Sequence, residues 1–280
     1  MYARVLVQAA VFAAASPSLT LPERVRRVVL EVGSNDDPVV AVGEDALTIA
    51  FEPLMDVVAR TRPRANLRMV PAAVTADGEA GLRAFHFYND RGWSSSLGTP
   101  AQPGQFWNNA PARGDGTVAL VPALSLGDVL DSLGSVDVAL LKTDMQGADF
   151  GAVASAGTRV RRIAWLLTEL WVDNVRTYAG FDNDLCRDWL PHMAAQGFSL
   201  VGLDCGGALA DLPSCGGAPA DAWTADGAAC CAANRAEHPN ATAGLRECDA
   251  LWARDGATGD PPPVPPGVWE NVWGPSMVIT

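Results

Sequence analysis

Arg27-Val28-Val29-Leu30-Glu31-Val32-Gly33 is the stretch that decides how the rest of the chain reads. A short apolar run closed by glycine is the pattern of a strand buried on both faces, as in parallel sheets. The same pattern recurs downstream. Leu47–Phe51 is a second run, ending at Glu52-Pro53, and Leu67–Val70 a third, continuing into Ala72-Ala73-Val74. Val136–Leu141 ends in Lys142-Thr143-Asp144, Ile163–Leu167 ends in Thr168-Glu169, and Phe198–Leu203 follows. Helical stretches alternate with these runs. Leu54–Arg62 stops at Pro63, a helix capped by Ser125 runs through Leu133, Gly147–Ala156 closes at Gly157, and Asp184–Gln196 is kinked at Pro191. Leu82–Tyr88 reads as an added antiparallel strand with Phe85 and Phe87 on one face, and residues 89–117 read as loop. Strands alternating with helices predict an α/β, mostly parallel sheet with helices on both faces.

The organisation outside that core reads in three pieces. Residues 1–22 hold no acid, carry Arg4 before the apolar run Val5–Ala15, and offer small residues at Ala13-Ala14-Ala15-Ser16. They read as a signal or targeting segment or, equally, as an N-terminal helix on the domain. The main domain spans 23–203. Residues 204–267 form an irregular insert rich in Cys, Gly and Pro, with the stiff spacer Pro261–Pro266, and residues 268–280 read as a last strand returning to the sheet. Five of the six cysteines (Cys205, Cys215, Cys230, Cys231 and Cys248, besides Cys186) fall between 205 and 248 without a zinc-knuckle spacing. This favours disulfides and a secretory lumen or organelle over the cytoplasm, as does the sequon Asn240-Ala241-Thr242. No metal site and no transmembrane span is expected.

Charge narrows the partners. The chain of 280 residues has a formal net charge of −12, which argues against nucleic acid and anionic membranes. All of its 20 basic residues are arginine except Lys142, which ends an apolar strand.

In open parallel sheets, ligands bind at the carboxyl ends of the strands. The residues there are therefore the candidate site: Glu31, Gly33, Ser34, Asn35 and Asp36 after the first strand, Glu52 and Pro53 after the second, then Lys142, Asp144 and Glu169. Gly33 lets a ligand approach the backbone, and the amides after it can meet a carboxylate or phosphate. The turn is not G-x-G-x-x-G, so a dinucleotide and an NAD-dependent oxidoreductase fit poorly. Glu52, 19 residues after Gly33, suits paired ribose hydroxyls. Trp93, Trp107 and Trp171 flank the cleft, where aromatics pack in cores or stack on sugars. None of the histidines His86, His192 and His238 has a partner cluster that would make it a base or ligand.

In order along the chain, Glu31-Val32-Gly33-Ser34-Asn35, Ala50-Phe51-Glu52-Pro53, Ala72-Ala73-Val74, Ser94-Ser95-Ser96-Leu97 and Leu141-Lys142-Thr143-Asp144-Met145-Gln146-Gly147-Ala148-Asp149 resemble the FkbM-type methyltransferases over about residues 26–203. The resemblance implies a Rossmann-like sheet, S-adenosylmethionine as cofactor, and O-methylation of a sugar, glycan or small metabolite. It implies that Gly33, Ser34 and Asn35 border the methionine part, that Glu52 holds the ribose hydroxyls and that Ala73 lies near the adenine. Asp144 then sits beside the reacting centre with Lys142 and Glu169, and Trp93, Ser95 and Ser96 suit substrate contact. The chain departs from the family where Asp37 replaces a usual Gly, in the short Pro38–Gly43 connection, and at Gln146 and Asp149, where the family often has Glu. Gln146 and Asp149 keep hydrogen-bonding capacity, whereas Asp37 and the short connection favour an alternative, a weakened homologue serving as a lumenal glycan- or ligand-binding module; Glu52, Lys142 and Asp144 favour the enzyme.

Overall fold

The computed structural model describes residues 19–35, 37–87, 95–100, 118–171, 177–204 and 247–257. Strands β1 (Arg27–Val32), β2 (Ala46–Phe51), β3 (Leu67–Val70), β8 (Val138–Thr143), β9 (Ile163–Trp171), β11 (Phe198–Asp204) and β12 (Glu247–Arg254) form one sheet in the order β11-β12-β9-β8-β1-β2-β3. The five strands from β9 to β3 are mutually parallel; β12 runs antiparallel to both β9 and β11. The chain is thus α/β with a mostly parallel, mixed seven-stranded sheet. A three-stranded sheet, β4-β7-β5, joins Ala73–Val74, Val118–Leu124 and Gly81–His86, and a ribbon pairs β6 (Thr99–Pro100) with β10 (Tyr178–Ala179).

Alternation along the strands sends side chains to two unlike faces. Leu30, Ile49, Leu141, Leu166 and Trp252 belong to the large core, which also takes Leu126, Val129 and Leu130 of α2 (Leu126–Ser132), Ala152 and Val153 of α3 (Asp149–Ser155) and Met193 of α4 (Leu190–Ala195). Each such aliphatic side chain withdrawn from water contributes about 1.5–3 kcal/mol. The opposite face carries Val29, Leu140, Leu167 and Leu251, packed with Val39 and Ala41 of the β1–β2 connection and with no helical residue. The expected second layer of helices is therefore not met among the described residues. A small third core brings Val57 of α1 (Met55–Arg60) against Phe85, Val121 and Ala123 of the three-stranded sheet.

Several boundaries differ from the sequence reading, each for a physical reason. The antiparallel strand that completes the sheet is Glu247–Arg254, inside the segment read as insert; Cys248, Ala250 and Trp252 alternate into the large core, while Leu251 enters the opposite one. Residues 205–246, 258–267 and 268–280, on which the remaining insert and last-strand readings fall, lie outside the described residues, as do 1–18. Ala73–Val74 is not a continuation of β3 but pairs with β7, a strand hidden from the sequence by Pro122. That proline is tolerated because β4 reaches only Ala123 and Leu124, leaving β7 an edge at residue 122. The expected helix runs without a break from Leu185 to Ala195 but changes character: a π-helical turn over Leu185–Trp189, whose amides are capped by Asp184, passes directly into α4, with Pro191 in the first turn of α4. Ser125 does cap α2, its Oγ accepting from the Asp128 amide at 2.9 Å. Among the described residues no helix is long and apolar enough to cross a membrane.

Candidate functional site

The chain leaves β1 toward β2 on one side and is joined by β8 on the other, so the strand order switches direction between β1 and β8. A cavity of about 430 Å³ opens there, at the carboxyl ends of the strands. Its wall takes Gly33 and Asn35 after β1, Glu52 and Pro53 after β2, Asp144, Met145 and Gln146 after β8, and Glu169 in β9. Phe51, Ala73, Val74, Phe85 and Leu97 give it an apolar side, and Ser95 a polar rim. Among the described lining residues the charged ones are the three acids Glu52, Asp144 and Glu169.

Two turns shape this wall, and each is built around a left-handed residue. Gly33 (φ +78°) precedes Asn35 (φ +50°) in the first. Gly33 serves packing before it serves a ligand: a Cβ there would lie 1.9 Å from the Asp144 carbonyl oxygen. The β1 and β8 ends meet at this point, with the Asp144 amide donating to the Val32 carbonyl at 2.9 Å. Glu52, 6 % exposed, closes the turn: its Oε2 accepts from the Asn35 amide at 3.1 Å and its Oε1 from the Leu54 amide at 2.8 Å. Burial pushes the Glu52 carboxyl up to about 7, against the pull of those two amides.

The second turn is Asp144–Gly147, with Gln146 at φ +54°. It is held by Asp149, fully buried at the start of α3, whose oxygens accept from the Met145 amide at 3.1 Å and the Gly147 amide at 3.2 Å. Burial, with the nearby Asp144 charge, raises the Asp149 carboxyl to about 7. Gly147 (φ +97°) is required because a Cβ would come within 2.9 Å of the Trp171 ring. The Gln146 Nε2 donates to Asp144 Oδ1 at 2.8 Å and to Glu169 Oε2 at 3.0 Å, and Tyr178 donates its hydroxyl to Gln146 Oε1 at 2.8 Å. Sequence reasoning overlooked the parts played by Asp149, Gln146 and Tyr178. The Gly147-x-Asp149 spacing at a helix start was the available signal for the first; nothing local announced the others.

Of the residues expected at the site, the structure brings Gly33, Asn35, Glu52, Pro53, Ala73, Ser95, Asp144 and Glu169 to one cavity. Glu31 and Lys142 are not on its wall. Alternation turns them to the sheet's other face, where they are register neighbours and the Lys142 ammonium donates to Glu31 Oε1 at 2.9 Å. Burial works against that ammonium, but Glu31 and, farther off, Asp144 and Asp249 more than offset it, so its pKa is raised. Glu31 also receives the Val39 amide and so anchors the β1–β2 connection. Ser34 is buried and does not line the cavity, and Ser96 braces the second turn, its Oγ donating to the Gln146 carbonyl at 2.8 Å. Asp36 and Trp93 lie outside the described residues. Asp37 is at the surface, 3.3 Å from Arg64, and Trp171 is a core residue. Both described cysteines, Cys186 and Cys248, are disulfide-bonded.

Two buried polar atoms on residues lining the cavity have no hydrogen-bond partner, Asn35 Oδ1 and Ser95 Oγ. An unsatisfied buried polar atom costs about 1–3 kcal/mol. No protein-family model matches the chain and no curated protein matches it either, so the cavity's own residues carry the functional reading.

Proposed function

We propose that the protein is an S-adenosylmethionine-dependent methyltransferase with a Rossmann-like sheet, acting on a hydroxyl of a sugar, glycan or small metabolite. The observation that carries this reading is the first turn: a buried acid at the end of β2 beside an unpartnered Asn35 Oδ1, at the switch point of a parallel sheet. The residues present fit the cofactor. Each Glu52 oxygen already accepts one amide but retains a second lone pair, so the carboxylate can still receive ribose hydroxyls. Asn35 Oδ1 can accept from the methionine ammonium. The apolar side formed by Ala73, Val74, Phe85 and Leu97 can cover an adenine ring. S-adenosylmethionine would supply an electrophilic methyl group in this cavity.

The chain's own residues then have two tasks. Orientation contributes most to such transfers, and the turn at Asp144–Gly147, braced by Asp149 and Ser96, is rigid enough to supply it. Asp144, with Glu169 beside it, orients the acceptor hydroxyl and takes up its proton. Lys142 supports this indirectly, by holding β8 to β1 through Glu31. Incubation with methyl-labelled S-adenosylmethionine and a panel of sugars and polyols tests the reading. Label should pass to an acceptor with the wild type and fall at least tenfold with Asp144→Asn; transfer unaffected by that change removes Asp144 from the chemistry.

The binding-module alternative keeps the same cavity and predicts ligand uptake without label transfer. We propose further that the chain works in an oxidising lumen, since both described cysteines are in disulfides. Six free thiols on protein from its native source would contradict that.

A further inference from the structure

At the β8 end, both N–H donors and the oxygen of the Gln146 side-chain amide have partners within the protein. An amide carries two N–H donors and one strong acceptor. Here the two donors go to carboxylates from two adjacent strands, Asp144 and Glu169, and the acceptor takes the Tyr178 hydroxyl. The reverse orientation would set Oε1 against both carboxylates, so the partners themselves fix which way the amide points. The main chain is held as firmly. Ser96 Oγ donates to the Gln146 carbonyl at 2.8 Å while accepting from the Gly98 amide at 3.0 Å, and the left-handed φ of +54° is stabilised by Asp149 on the amides to either side. No other standard side chain of this length meets both carboxylates as a donor and a hydroxyl as an acceptor. Glutamate would present a third carboxyl group, and methionine no donor at all.

We propose that Gln146 is the positioning residue of the Asp144–Glu169 pair, holding the two carboxylates side by side where the positively charged centre of the cofactor is read. This rests on the methyltransferase reading and adds to it. Asp144, directly after β8, and Glu169, in the neighbouring parallel strand β9, are spanned by one amide at hydrogen-bond distance. Tyr178 and Ser96 act one step further out, on the amide oxygen and on the backbone carbonyl.

Two probes differ by one methyl group and its positive charge: S-adenosylmethionine and S-adenosylhomocysteine. Their affinity ratio, measured by calorimetry, responds to charge at the reacting centre and not to general damage, because every other group is shared. Gln146→Leu, which loses both donors and the acceptor together, is expected to lower the preference for S-adenosylmethionine about tenfold, the effect of losing the charge-assisted hydrogen bonds that hold the pair in place. Gln146→Met, which keeps the length and loses both donors, is expected to lower the ratio. Tyr178→Phe, which removes only the hydroxyl that orients the amide, is expected to lower it less, and thermal melting reports whether each variant folds. A ratio unchanged in all three folded variants, with both probes bound, overturns the role given to Gln146. Failure of the wild type to bind either probe overturns the methyltransferase reading itself, and this inference with it.

Discussion

The two turns that shape the cavity are built alike and finished differently. Each follows a parallel strand, contains a left-handed polar residue, and is closed by a buried acid that accepts two backbone amides: Asn35 with Glu52 in one, Gln146 with Asp149 in the other. The Gln146 amide is satisfied three times over within the protein, whereas Asn35 Oδ1 is buried with no partner. One turn is complete as folded. The other retains an unmet polar atom. Under the proposed function, the difference separates scaffold from recognition within one cavity. It also explains why Glu52 lines the cavity and Asp149 does not.

The largest effect is expected at Asp149. Asp149→Ala strands the Met145 and Gly147 amides in the interior and should cost about 3 kcal/mol of folding stability, read by denaturant unfolding. A loss below about 1 kcal/mol would mean the second turn does not depend on its acid. Glu52→Ala should act in the other currency. Some stability is lost, but cofactor affinity should fall by about 1–3 kcal/mol, since a charge-assisted acceptor disappears from the wall. Unchanged affinity in a folded variant removes the ribose role.

Both acids also set a pH dependence of one sign. Their folded values lie near 7, above the ordinary carboxyl range of about 4 in an unfolded chain. Between those limits the native state holds protons that the unfolded state has released, so stability falls as pH rises from about 4 to 7 and levels off above. The melting temperature of the ligand-free protein should therefore be higher at pH 5 than at pH 8. The opposite trend would show that the two carboxyls are not desolvated as the fold places them. The smallest effect is expected at Asn35→Gly, which relieves the left-handed backbone and removes the orphan oxygen. Stability should hold or rise slightly, while affinity falls by about 1 kcal/mol.

What the sequence made legible follows from what is local. The apolar runs closed by Gly33, Glu52, Asp144 and Glu169 carry their own signal, so the parallel strands and most of the cavity wall could be read from them. Glu31 and Lys142 were misplaced because a strand end lists residues of both faces, and only the register and pleat decide which turn toward the ligand. The β7 strand was masked by Pro122, and β12 by charged residues at its ends and by the Cys-rich segment before it. Gln146 acquires its part only when Glu169 and Tyr178, 23 and 32 residues away, fold against it. Contacts of that range leave no periodicity to detect.

The most direct test of the account is a calorimetric titration of the wild-type protein with S-adenosylmethionine, repeated with Glu52→Ala. One saturable site is expected in the wild type and clearly weaker binding in the variant. No binding at millimolar cofactor by folded protein would contradict it.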